Sequence, residues 1–309
     1  MRRLGTALWL LCAIGWIWVF PARCAAAPND VQAQLQAIIG AFKGHVTLAA
    51  KNLKTGETIE IRADEKVQTA SVIKLPILIE TFYQARQNQV SLDSYVILDK
   101  DNRVPGSGIL QDLSDGLILT LQDAATLMIV LSDNTATNLV IDTVGIGNVN
   151  ARMQSLGARN TKLFKKVFLP APQTSEEQKK YGLGVTTAAD MLHLLEMLAR
   201  GDVVDRAGSD AVIAILKKQR DRDGIPRYIS YDDLGQNTGG VEVANKTGAL
   251  DHVRNDVGLV FTKHGTYALA IFAGDSPDTR WTADNAATLT IARIAKVLFD
   301  HFEESQTGR

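Results

Sequence analysis

Cysteine is nearly absent from this sequence: two residues in 309, Cys12 and Cys24. Both fall within the first 27 positions, so the rest of the chain has no disulfide, no thiol nucleophile and no thiolate metal site, and its stability must come from packing. No charge sign dominates either. The count is 33 basic against 34 acidic residues, a net charge of -1, which gives no reason to expect a nucleic-acid partner. Histidine is scarce, and His45, His193, His252, His264 and His301 never occur at a His-x-x-x-His spacing. We therefore read none of them as a metal ligand and expect no metal and no other cofactor. Beyond residue 27 no apolar run reaches the length of a bilayer span.

What is present starts with the N-terminus. Arg2 and Arg3 precede an uncharged run from Leu4 to Phe20, and Ala25, Ala26 and Ala27 follow. That order matches a secretory signal peptide, with cleavage near Ala26 or Ala27. An uncleaved anchor is the alternative, while Arg23 before Cys24 argues against a lipoprotein. Removing residues 1–26 leaves 30 basic against 34 acidic residues. We expect an exported, periplasmic or secreted monomer whose single catalytic domain spans 27–309.

The remaining chain is rich enough in apolar residues, at 46% overall, to bury a large core. His45–Ala50 and Thr58–Ile61 read as a hairpin, Val257–Thr262 and Thr266–Ala273 as another, with a strand at Val241–Asn245. Thr120 with Asp123 and Thr187 with Asp190 resemble capping boxes, and Gly201 stops the second helix. Strands from both ends thus bracket a helical middle of about 75–235. The fold class is α+β: an antiparallel β-sheet flanked by helices, plus a helical lobe. The segment Lys165–Leu183 has no period and reads as a long surface loop.

Three short motifs carry the chemistry: Ser71-Val72-Ile73-Lys74, Ser132-Asp133-Asn134 and Lys246-Thr247-Gly248. The first opens a helical pattern through Val72, Leu75, Leu78, Ile79 and Phe82, which puts Ser71 at a helix N-terminus and Lys74 one turn on. There free N–H groups stabilise negative charge, and an amine within reach can take a serine proton. Each motif alone is weak. Lys54-Thr55-Gly56 is a second copy of the third, and it reads as a hairpin turn with a solvated lysine. The order of all three, with Ser132 61 positions after Ser71 and Lys246 114 after Ser132, makes the signal specific.

With these motifs, Thr69-Ala70 before the serine, and Ser132 to Asn138, the sequence resembles class A β-lactamases and the related penicillin-binding proteins. The resemblance implies that Ser71 attacks an acyl carbonyl while Lys74 helps remove its proton, and that Ser132 relays a proton to the departing nitrogen. It also implies that Asn134 binds a substrate amide, that Lys246 supplies positive potential, and that Thr247 beside it faces the substrate carboxylate. Backbone N–H groups of Ser71 and Ala249, next to Gly248, would form an oxyanion hole. Arg254 is a further candidate for binding a carboxylate, with a surface salt bridge as the alternative. The implied partner is a β-lactam or a peptidoglycan stem peptide.

The sequence departs from class A in one place. That family's deacylating glutamate belongs to a Glu-x-x-Leu-Asn motif, and Thr161–Pro170 has none. A gapless comparison puts Val167 at the glutamate position, and valine cannot activate water. Glu176 and Glu177 further on either fold back to replace it or form a solvated acidic pair beside Lys179 and Lys180. Pro105-Gly106-Ser107-Gly108 stands where relatives place an aromatic residue, which suggests an open edge. The expectation is a serine hydrolase that forms a Ser71 acyl-enzyme with β-lactams and hydrolyses it slowly. The alternatives are a cell-wall DD-peptidase or transpeptidase, a receptor that stays acylated, and a general ester hydrolase.

Overall fold

The structure is a computed structural model that describes residues 30–171, 174–229 and 240–307. The expected signal peptide, 1–26, and the last positions of the expected helical lobe, 230–235, lie outside the described residues.

The chain begins with α1 (Val31–Ala41) and the hairpin β1 (His45–Asn52) and β2 (Thr58–Ile61). A two-residue strand, β3 (Val67–Gln68), leads through a 3-10 turn into α2 (Lys74–Arg86). Next come β4 (Tyr95–Ile97), β5 (Ile118–Thr120), α3 (Leu121–Val130), α4 (Asn134–Val144) and α5 (Ile146–Ser155). After these follow β6 (Lys162–Leu163), α6 (Glu176–Tyr181), β7 (Gly184–Thr186), α7 (Ala188–Arg200) and α8 (Arg206–Leu216). The chain closes with β8 (Glu242–Leu250), β9 (Val253–Phe261), β10 (Thr266–Gly274) and α9 (Ala286–Thr307).

The main sheet has the order β2-β1-β10-β9-β8 and is antiparallel throughout. Strands β1, β8, β9 and β10 are buried over most of their length because both faces of the sheet are covered. Leu48, Leu269 and Ile271 face a core closed by α1 and α9 with Leu35, Ile294, Leu298 and Phe302. Ala49, Ala270 and Phe272 face the opposite core, shared with the helical lobe. At the centre of that lobe, α2 is buried from Lys74 to Phe82, as expected of a helix enclosed on all sides. The α+β expectation therefore holds.

Both expected hairpins are present, and β8 runs five residues past the expected Val241–Asn245, carrying Lys246, Thr247 and Gly248 inside a strand. Thr120 and Asp123 form a full capping box. Thr187 accepts from the Asp190 N–H, but the Asp190 carboxylate turns instead to the Asn160 N–H at 2.7 Å and the Thr161 hydroxyl at 2.9 Å. The stretch Lys165–Leu183 is not all loop. Ser175 caps α6 by accepting from the Gln178 N–H, and six residues are too few to show an apolar period.

Candidate active site

The site forms where the start of α2, the turn before α4 and strand β8 meet. Ala70 adopts a left-handed φ of 45° and turns the chain sharply into the 3-10 segment that holds Ser71. The cost of that backbone is borne by neighbours that leave no slack. Asn255 of β9 donates to the carbonyls of Gln68 and Thr69 at 2.9 and 3.1 Å. A β-carbon on Gly248 would stand 2.8 Å from the Thr69 carbonyl and 3.1 Å from the Ser71 nitrogen. Only glycine lets β8 lie this close to the serine turn.

Ser132 also has a left-handed φ, 53°, and Asp133 behind it is buried. One Asp133 oxygen caps α4 through the Ala136 N–H at 2.8 Å. The other accepts from Ile109 and Leu110 at 2.7 and 2.9 Å. The capping role of this motif is real, and it fixes Ser132 while leaving its hydroxyl free for other partners.

Two buried lysines converge on that hydroxyl. The Lys74 ammonium nitrogen lies 3.1 Å from Ser132 Oγ, 2.7 Å from the Ser132 carbonyl and 2.9 Å from Asn134 Oδ1. Lys246 Nζ lies 3.1 Å from the same Oγ and 2.7 Å from the Thr247 carbonyl. Neither side chain is exposed. Burial, and then the nearby Lys246 charge, hold the Lys74 amine well below its ordinary range. Burial brings Lys246 down to about 8, opposed by Asp221 and Asp256. Both amines therefore release a proton more readily than an exposed lysine does, which suits proton transfer at this hydroxyl.

A cavity of about 460 Å³ opens from Ser71 past Ser132, Thr247 and Ala249 to Arg254 and Trp281. Arg254 has no ion pair among the described residues, so the salt-bridge alternative is not what forms. Its guanidinium donates to the carbonyls of Leu250, Val253 and Arg280 and lies 4.8 Å from the Trp281 ring. Asn134 is bound at both ends of its amide, to Lys74 and to the Pro105 carbonyl at 3.0 Å.

The edge expected to be open is pinned. Besides the Asp133 contacts, the Asn134 N–H donates to the Ser107 carbonyl at 2.9 Å, and Gln111 donates to the Gly106 carbonyl at 2.9 Å. An aromatic ring reaches this edge from elsewhere: Phe168, 62% exposed and at φ 56°, lies against Gly106. Its neighbour Val167 is buried and clamped by Asn138, which accepts from the Val167 N–H at 2.8 Å and donates to its carbonyl at 3.0 Å. Glu176 pairs with Lys179 at 2.5 Å and Glu177 with Lys66 at 2.7 Å, and neither lines the Ser71 cavity.

Sequence reasoning missed Asp256, which lines the same cavity. It accepts from Asn245 at 2.9 Å and from the Ile225 N–H at 2.8 Å, and burial raises it to about 7. Three consecutive polar residues, Arg254, Asn255 and Asp256, just ahead of the apolar run Val257–Phe261 were the available signal. Trp281 sits in an irregular connection and gave none. Each of the five histidines has a protein partner. Among the described residues no group of three or more His, Cys, Asp or Glu side chains could hold a metal, and no helix is long and apolar enough to cross a membrane.

Comparison with known proteins places this geometry. The β-lactamase AER-1 of Aeromonas hydrophila is 25% identical over 96% of this chain and 93% of its own length. A solved β-lactamase of Sphaerobacter thermophilus is 31% identical, covers 88% of this chain and 97% of its own, and superposes with a TM-score of 0.77. The solved structure of PBP-A shares the fold at 24% identity and a TM-score of 0.74, over 89% of this chain and 97% of its own. A mutant of it was solved as an acyl-enzyme complex with penicillin G. The model of the β-lactamase enzyme family matches residues 30–302, and this chain belongs to that family as a β-lactamase-like serine hydrolase.

Proposed function

We propose that the protein is acylated at Ser71 by β-lactams and releases the product slowly. The observation that carries this reading is the convergence of Lys74 and Lys246 on the Ser132 hydroxyl. Ser71 Oγ attacks the lactam carbonyl and gives its proton to Lys74 in that residue's deprotonated form, which burial makes more accessible. The carbonyl oxygen becomes an oxyanion facing the N–H groups of Ser71 and Ala249, each worth about 2.7–4 kcal/mol in such a hole. As the C–N bond breaks, Ser132 donates its proton to the leaving nitrogen and recovers one from Lys74. Because Ser132 accepts from both lysines, its own O–H is left to point outward. The spare N–H donors of Arg254, with Thr247, then receive the ligand carboxylate.

The second half of the cycle needs a base beside the ester. Val167 offers none, and both nearby glutamates are engaged in ion pairs. This favours a long-lived adduct, and with it a second reading: a penicillin-binding protein that acts on peptidoglycan stem peptides and is trapped by β-lactams. We further propose export, with residues 1–26 removed as a signal peptide. Intact-protein mass spectrometry during exposure to a chromogenic cephalosporin tests the reading. We expect one adduct on Ser71 forming within seconds and decaying far more slowly. No adduct, or steady turnover without one, would overturn it.

A further inference from the structure

We propose that Trp281 is a specificity-determining residue, whose indole walls the carboxylate end of the cavity and selects anionic ligands through Arg254. The proposal rests on the Ser71 reading above and adds a residue that the three motifs do not contain.

Trp281 is 64% exposed, yet it is held on both sides. Its indole N–H donates to Asp251 at 3.3 Å, and its ring lies 4.8 Å from the Arg254 guanidinium. The chain around it is tied down as well. The Arg280 carbonyl accepts from Arg254 at 2.8 Å and from Asn285 at 2.9 Å. Asp278 accepts from the Ala286 N–H at 2.8 Å and pairs with Arg280 at 2.7 Å. A large apolar ring fixed at the mouth of a cavity, rather than folded into the core, is available to a ligand.

The arginine beside it explains what that ring does. Arg254 is 8% exposed and its charge is disfavoured by burial. Three backbone carbonyls and one aromatic face contact it directly, while Asp278, Asp251 and Asp221 support its charge from beyond hydrogen-bond distance. Among the described residues its Nε–H and one Nη2–H have no protein acceptor, which leaves an edge for an incoming anion. The indole excludes water from one face of the guanidinium. An ion pair formed there is less screened than it would be in open solvent. Removing the ring would hydrate Arg254 and weaken its hold on an anion, while a neutral ligand would be little affected. The ligand class follows: a carboxylate carried on a compact ring that can pack against the indole.

The test compares benzylpenicillin with its methyl ester, which replaces the carboxylate charge by a neutral ester one methyl larger, by the second-order rate constant for adduct formation. Trp281→Ala should lower the value for the acid roughly 5- to 30-fold, through greater solvent screening of the ion pair with Arg254, while the ester loses less than about threefold. Trp281→Phe, which keeps the ring without the N–H, should recover most of the loss. In an Arg254→Ala background the tryptophan substitution should no longer separate acid from ester. Equal losses for both compounds, or no loss for the acid, would overturn the proposal even though the wild type acylates normally. Failure of the wild type to acylate with either compound would instead sink the Ser71 reading itself.

Discussion

The two regions on which the proposed cycle draws are built from opposite materials. On the Ser132 side, two buried lysines, an asparagine amide and a capped aspartate form a dense polar network within hydrogen-bond distance. On the Val167 side, a buried aliphatic side chain is held in place only through its backbone. Under the proposed function, proton transfer in acylation has a chain of donors and acceptors to follow, whereas attack of water on the ester finds no base at Val167. The two proposed half-reactions thus draw on different elements, and each can be altered without the other.

The strongest test of that contrast is Ser71→Ala. It should abolish covalent labelling by a fluorescent penicillin altogether, with an unchanged circular dichroism spectrum, since the Ser71 side chain caps no helix. Lys74→Ala should slow acylation by about 10²–10⁴-fold, the usual worth of a placed base, read in stopped-flow burst kinetics. On the poorer flank, Val167→Glu should shorten the adduct lifetime by at least about tenfold, followed by intact mass. A lifetime that stays the same would mean that this position does not supply the second step. Acylation should also follow a bell in pH. It rises as Lys74 loses its proton, below the ordinary lysine range, and falls as Lys246 loses its charge near about 8. Asn138→Ala has the smallest expected effect, about 1–3 kcal/mol of stability from an unsatisfied backbone at Val167, measured by urea melts.

The legible parts of this molecule were those decided locally. The Thr120 and Thr187 caps, the Gly201 stop and the four hairpin strands depend on neighbours within a few residues, so spacing alone exposes them. The four residues Ser71, Lys74, Ser132 and Lys246 stood out through motif order, and the fold does bring the last three together. Less legible were features made by distant contacts. The Pro105–Gly108 edge looks loose as a string of small residues, yet a single Asp133 oxygen and Gln111 fasten it. Arg254 was visible as a candidate, but nothing near it in sequence announces Trp281, 27 positions on. The short α6 escaped because its stability comes from a serine cap and ion pairs, not from an apolar stripe.

The pairing of β1 with β10 also dictates the order in which the chain can fold. His45 aligns with Gly274 and Asn52 with Tyr267, so the first hairpin waits for nearly the whole polypeptide before its inner edge is covered. Until then β1 is paired with β2 alone, and the edge of Leu48 and Ala50 that faces β10 stays open. Such distant partners slow folding, because the intervening loop must close before any contact rewards it. A chain cut before Thr266 would keep every residue of the serine and lysine motifs yet leave a bare sheet edge beside β1. Loss of residues 266–309 is therefore expected to produce aggregates, not a weakened enzyme.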